Sequence, residues 1–315
     1  MIGLIGVCAL LVLLSVGVPI GVAMGLVGLV GMCVLLGIEP ALIKSGVVLF
    51  ESVSRYELGV LPLFLLMAHL CFAAGASRDF FAAAASVVGH RRGGLALATI
   101  AGCAGFGAVS GSSLATAATM GLIGLPEMRK RGYSTALASG AVAAGGTLGS
   151  LTPPSGALIV FGIIAEQSIG KLFTAAIIPA LTQTLLYMAT IVIVCRIRPS
   201  IAPPSARMSW AERRTAIFRV LDLAALVICV LTGIAVGWFT PTEAASVGSL
   251  LALVLCAIRK RLSWRSLGEA LAQTLRTTGM LYLVIIGALI FAVFMSFTGL
   301  AEQVSGLVQG MHGSP

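Results

Sequence analysis

Two short runs hold the residue types with which this chain could do chemistry. One is Ser110-Gly111-Ser112-Ser113; the other is Gly149-Ser150-Leu151-Thr152-Pro153-Pro154-Ser155-Gly156. Both are made of hydroxyls, glycines and prolines set in long apolar surroundings, and neither holds a charged side chain. Hydroxyls and carbonyls freed at a helix break suit a dehydrated Na⁺, while the free N–H groups that open a half-helix suit a carboxylate. Secondary transporters pair these features on discontinuous helices near the membrane midplane. No cage of Asp or Glu is available, so a cation site here must rest mainly on neutral oxygens.

The elements that position the two runs follow from charge. No Asp, Glu, Lys, Arg or His lies between Arg92 and Glu127, yet the flanks His90-Arg91-Arg92 and Arg129-Lys130-Arg131 are both basic. Basic clusters beside membrane segments stay on the cytoplasmic side, so both ends of residues 93–126 belong there. A straight span cannot do that, and a re-entrant hairpin turning at Ser-Gly-Ser-Ser can. Each arm is about 16 residues, or ~24 Å of helix, short of the ~30 Å bilayer core. Irregular backbone at such depth survives only when wrapped in protein or lining a wet cavity. The second run interrupts another uncharged stretch, residues 132–165. Its adjacent prolines remove two backbone donors and force a break, with Thr152 expected to cap the half-helix that follows.

Composition sets the class. Of 315 residues, 58% are hydrophobic and 10% charged, with a mean hydropathy of +1.08; a soluble domain is about a quarter charged. The chain therefore reads as an all-α polytopic membrane protein. A net charge of +9 could suggest nucleic acid, but 16 of the 20 Lys and Arg fall in Arg78–Arg92, Arg129–Arg131, Arg196–Arg219 and Arg259–Arg265. That clustering reports topology, and no nucleic acid is expected as a partner. Seven cysteines are scattered singly without metal or redox spacing and read as packing residues.

Along the chain, Gly3–Gly37 is too long for one span and should break near Val18-Pro19, with Gly17, Gly21 and Gly25 forming a small-residue ladder. Glu39–Glu57 reads as an outer loop with an amphipathic lead-in, and Leu58–Ala76 as a span containing the ionisable His69. Arg78–Arg92 suggests an interfacial amphipathic helix, and Pro126–Tyr133 a tight turn. Leu172–Cys195 spans again, Pro199–Arg219 is a loop, and Leu223–Phe239 crosses back. Thr240-Pro241-Thr242-Glu243 is a capping box that opens a helix through Ile258. Ser266–Thr278 reads as amphipathic, and Gly279–Leu300 as a last span.

Two rival functions need different residues. An intramembrane hydrolase could use Ser112 or Ser113, but no Gly-x-Ser-x-Gly surrounds them and His69, the nearest candidate base, is remote in sequence. A purely structural subunit would not need two uncharged breaks with polar tips. The chain has no phosphate-binding loop for ATP, and neither a catalytic residue nor a cofactor is expected.

The residues also resemble a family. Ser110-Gly111-Ser112-Ser113-Leu114-Ala115-Thr116-Ala117-Ala118-Thr119-Met120-Gly121 with Pro126-Glu127-Met128, Ala144-Gly145-Gly146-Thr147-Leu148-Gly149, Pro153-Pro154-Ser155-Gly156, Gln167–Phe173 and Gly237-Trp238-Phe239-Thr240-Pro241-Thr242-Glu243-Ala244-Ala245 resemble the large permease subunit of tripartite ATP-independent periplasmic (TRAP) transporters, the DctM-like family. The resemblance implies an elevator-type, Na⁺-driven importer of organic acids such as C4-dicarboxylates or sialic acid. It implies a bacterial inner-membrane location beside membrane lipid. The implied partners are a small four-helix DctQ-like membrane subunit and a periplasmic DctP-like solute-binding protein. A related Na⁺/dicarboxylate or anion permease without a binding protein is the alternative. Carried over residue by residue, Na⁺ falls to Ser110, Ser113, Gly149, Thr152 and Pro153. Substrate falls to Gly111, Ser112, Pro154, Ser155 and Gly156. The implied organisation is N-terminal scaffold helices (1–77) and a first repeat (78–198) with hairpin 93–126 and broken helix 132–165. A cytoplasmic loop (199–220) and the start of a second, inverted repeat (221–315) complete it. The second hairpin and second Pro-Pro break of the family have no counterpart before Pro315, so the chain alone is expected not to transport.

Overall fold

A computed structural model describes residues 1–205 and 207–300. Over these residues the chain is all-helical, with thirteen α-helices and two short 3-10 turns. α1 (Ile2–Ser15), α2 (Ile20–Leu36) and α3 (Ile38–Ser54) come first, then the bent pair α4 (Val60–Ala73) and α5 (Ala76–Val88). α6 (Gly94–Ser110) and α7 (Ser113–Lys130) are joined by two residues, and α8 (Thr135–Leu151) and α9 (Gly156–Ile164) by four. α10 (Ile169–Ile197), α11 (Trp210–Ala235), α12 (Pro241–Ile258) and α13 (Trp264–Thr298) follow. α10 to α13 are each long and apolar enough to cross a membrane, and the pairs α4–α5, bent by 63°, and α8–α9, bent by 44°, raise the number to six.

The chain divides into two compact units, Met1–Leu58 with the chain from Arg276, and Gly59–Leu275. In the first, the Val18-Pro19 break is present, with Pro19 at the N-cap of α2. The glycine ladder is real but shifted. Gly17 sits in the turn with open space around it, whereas a Cβ on Gly21 would lie 2.5 Å from the Leu283 carbonyl oxygen of α13. Phe294 fills the space beside Gly6 and Gly31 and joins Val27, Met32, Ala41, Val48 and Ile290 in the core of this unit. Backbone-to-backbone contact of this kind leaves no flexible neighbour to yield. Gly21→Leu is therefore expected to destabilise this unit by roughly 1–3 kcal/mol, read as a lower midpoint of thermal unfolding in detergent; Gly46→Leu, where a Cβ meets nothing, should leave it unchanged.

Four expectations are corrected by the helices. Glu39–Glu57 is not a loop, because Ala41, Ser45, Val48 and Ser52 recur at helical spacing and are buried along one face of α3. Pro126 does not end its helix, and α7 runs on to Lys130 with the proline inside, so the turn is only residues 131–134. The loop after α10 stops at Ser209, where Ser209 and Glu212 form a capping box that starts α11 at Trp210, nine residues before Arg219. Trp264–Thr298 is one helix of 35 residues, since Gly279 alone is too weak a breaker to split it. The closing stretch Gly306–Pro315, and with it the end of the expected second repeat, lies outside the described residues.

In the second unit, α6 and α7 run antiparallel. Thr99 lies opposite Gly124, Gly102 opposite Met120, and Ser110 opposite Thr116. The connector after α10 joins the outer ends of this hairpin. Ala202 accepts a hydrogen bond from the Gly93 N–H before α6 (3.3 Å), and Ile201 accepts one from the Ser134 N–H after α7 (2.9 Å). At the same end, the Leu95 N–H donates to the Tyr133 hydroxyl.

A second tie is ionic. Arg259, just past α12, donates to Asp79 on α5 (2.5 Å), to both carboxylate oxygens of Asp222 on α11 (2.6 and 2.9 Å), and to the carbonyls of Ala74 and Arg219. One guanidinium thus fastens three helices at the α4–α5 bend.

Candidate functional site

The two polar runs meet. A Cβ on Gly149 of α8 would lie 2.5 Å from both the Ser112 carbonyl oxygen and the Thr116 hydroxyl of the hairpin. Gly111, at φ +58, turns the chain between α6 and α7, and a Cβ there would lie 2.8 Å from the Pro154 carbonyl oxygen. Only glycine supplies the left-handed turn and the missing side chain that this approach needs. The Gly156 N–H then donates to the Gly111 carbonyl across the contact (3.2 Å). Tip and break are therefore joined by backbone, at five of the ten residues proposed from sequence.

The remaining residues fall around that joint. Ser110 is buried at the end of α6, its hydroxyl 2.8 Å from that of Thr116, which is fully buried. Ser112 caps α7, accepting from the Ala115 N–H at 3.3 Å, and Ser113 begins the helix half-buried. Pro153 and Pro154 are buried and joined by a cis peptide bond. Thr152 does not cap α9, as the sequence suggested. It closes α8, with its N–H on the Leu148 carbonyl, and Ser155 occupies the N-cap position of α9. The reason is geometric: two prolines in sequence hold the chain extended for one residue longer than a single break would. Ser155 itself turns its hydroxyl back to the Ser150 carbonyl.

Thr152 is left with a buried Oγ1 that has no hydrogen-bond partner among the described residues. Thr116 was not proposed from sequence. Its only signal was a hydroxyl six residues after Ser110, a spacing that means contact only once the chain reverses at Gly111. The site thus brings the hydroxyls of Ser110 and Thr116 and the carbonyls of Ser112 and Pro154 to one joint, with Thr152 in the connector between α8 and α9. No group of three or more His, Cys, Asp or Glu able to hold a metal occurs among the described residues. Two helices, α7 and α9, start at the joint, and helix starts favour negative charge. What the arrangement can do is ligate a small cation through neutral oxygen and face an anion with helix N-termini.

His69, the base that a hydrolase would need, lies on α4 with a buried Nε2 that has no partner among the described residues. No hydrogen bond joins it to Ser112 or Ser113.

Comparison with known proteins decides the family. Residues 7–315 match the family model described as "Tripartite ATP-independent periplasmic transporter, DctM component". The chain belongs to the DctM family of TRAP transporter permeases. It is 35% identical over 285 residues to the C4-dicarboxylate TRAP transporter large permease protein DctM of Pseudomonas aeruginosa, covering 89% of this chain and 66% of that protein. It is 33% identical over 243 residues to the sialic acid TRAP transporter large permease protein SiaM of Vibrio cholerae, covering 76% and 56%. It is 32% identical over 299 residues to the isethionate TRAP transporter permease protein DctMQ of Oleidesulfovibrio alaskensis, covering 93% and 47%. The chain spans about half to two thirds of the length of these relatives. DctM membership and the candidate spans make it a multi-pass membrane protein of a transport family.

Proposed function

We propose that this chain is the large permease subunit of a Na⁺-coupled, elevator-type TRAP importer of organic acids in a bacterial inner membrane. It would work with a small four-helix membrane subunit and a periplasmic binding protein that delivers the substrate. The relatives named above for C4-dicarboxylate, sialic acid and isethionate permeases handle anions, which supports an anionic substrate. That one relative is a DctMQ permease protein, with the two membrane components named together, supports the partnership.

The observation that carries the cation reading is the orphaned Thr152 hydroxyl. A buried hydroxyl without a partner costs roughly 1–3 kcal/mol, and it stands at the break between Gly149 and Pro154, which both touch the hairpin tip. A Na⁺ held by Thr152, Ser110, Ser113 and the carbonyls of Gly149 and Pro153 removes that cost.

The test is thermal unfolding of the purified chain in NaCl and in KCl at equal ionic strength. Na⁺ at tenfold above its dissociation constant should stabilise the chain by about 1.4 kcal/mol relative to K⁺. Thr152→Val has a two-sided expectation. In KCl it should be as stable as the parent or more so, because an unsatisfied hydroxyl is gone; in NaCl the advantage should shrink or vanish. Equal midpoints in Na⁺ and K⁺ for the parent chain would refute the site.

A further inference from the structure

A cavity of about 550 Å³ opens where the end of α5 meets the start of α11, lined by Val87, His90, Arg91, Arg207, Trp210 and Arg213 among others. No Asp or Glu lines it. Arg91, Arg207 and Arg213 form no ion pair among the described residues, in contrast to Arg259, whose charge is consumed inside the fold. The Arg213 guanidinium lies over the Trp210 ring, 5.2 Å from its centroid, which holds it in place. Trp210 itself is 81% exposed. Three guanidiniums without an ion pair on one cavity suit an anion, and Val87 with the exposed indole suits one that carries an apolar part.

Position narrows the ligand further. α5 is amphipathic, and α11 begins at Trp210 with a charged stretch, Glu212 to Asp222, ahead of its apolar part, which puts the cavity at the charged, headgroup-side level of a candidate span. Trp and basic residues concentrate at that level. Basic pockets between membrane helices on the cytoplasmic side take acidic headgroups. A free phosphate would share the oxyanion chemistry but would leave most of the volume and the whole apolar wall unused.

We infer that this basic cavity is a binding site for the phosphate of an anionic phospholipid, held by Arg91, Arg207 and Arg213 with the start of its acyl chains against Trp210 and Val87. The site bridges two segments that the backbone already ties together. Arg91 precedes Gly93, and Arg207 follows Ala202, the partners in the hydrogen bond at the foot of the hairpin. A bound lipid would thus brace the hairpin at the membrane surface.

Native mass spectrometry of the purified chain, loaded with phosphatidylglycerol, phosphatidylcholine or inorganic phosphate, tests this. Phosphatidylglycerol should remain bound under activation that strips phosphatidylcholine. Its retention should fall at least about tenfold in Arg91→Gln/Arg207→Gln/Arg213→Gln and clearly in Arg213→Glu alone. Arg265→Gln, an exposed arginine paired with Glu269, should retain it like the parent. Arg91, Arg207 and Arg265 are exposed and Arg213 is half-buried, and an unchanged elution profile verifies the fold of each variant. Equal retention of the two lipids, or an unchanged triple variant, would overturn the proposal. Displacement of phosphatidylglycerol by millimolar phosphate would also overturn it, in favour of a free-anion site.

Discussion

Gly149→Val is expected to separate the hairpin tip from the helix break and to abolish any Na⁺-dependent stabilisation. Its Cβ would lie 2.5 Å from a backbone oxygen, that of Ser112, and 2.5 Å from the Thr116 hydroxyl. Neither can rotate away: Ser112 is pinned by the Thr116 N–H on its carbonyl, and Thr116 is fully buried against Ser110. The helix or the tip must shift, at a cost of roughly 1–3 kcal/mol, and a cation site built on both sides would lose its geometry. Gly140→Val on the same helix, where a Cβ meets nothing, supplies the control for β-branching alone. Thermal unfolding in NaCl and KCl reads both effects. A Gly149→Val chain that keeps the full Na⁺ response would show that the tip–break joint does not hold the ion.

The other large effect belongs to Arg259. Arg259→Met removes the one cation that Asp79 and Asp222 share, and leaves Asp79, 18% exposed, facing Asp222, 40% exposed. Stripping one partner from a buried pair costs about 3–5 kcal/mol. Asp222 is wet enough to recover part of its solvation, so about 3 kcal/mol is the expected loss. Adding Asp79→Asn to Arg259→Met should restore part of the stability, because the stranded charge is then gone. If the double variant is no more stable than the single one, packing of the guanidinium and its bonds to the Ala74 and Arg219 carbonyls dominate instead. Urea or thermal unfolding followed by circular dichroism separates these outcomes.

The features legible in the sequence were those that act locally. Pro153-Pro154 cannot sit inside a helix, so the break was readable to within a residue, although the sequence could not show that Ser155 rather than Thr152 would take the cap. Val18-Pro19 and Thr240-Pro241-Thr242-Glu243 were readable for the same reason. Ser209-x-x-Glu212 carries the same capping signal, but Arg213, Arg214 and Arg219 just after it made the segment resemble a loop. α3 was obscured by Glu39, Lys44 and Glu51, which decorate the exposed side of a helix whose buried side is regular. Thr116 and the Arg259 cluster were out of reach. The first depends on a chain reversal, and the second joins residues 37 and 180 positions apart, where no local pattern operates.

The connector after α10 has a consequence for how this protein tolerates change. It holds the two feet of the hairpin through main-chain groups, Gly93 N–H to Ala202 and Ser134 N–H to Ile201, and every residue offers the same carbonyl acceptor. Substitution at the exposed Ser200 is therefore expected to cost little, whereas the fully buried Ala202 and the length of the connector are expected not to tolerate change. One residue inserted between Arg198 and Ala202 would put both acceptors out of step with their donors at once. The segment is constrained in spacing as well as at the buried Ala202, and a count of identical residues does not register the first.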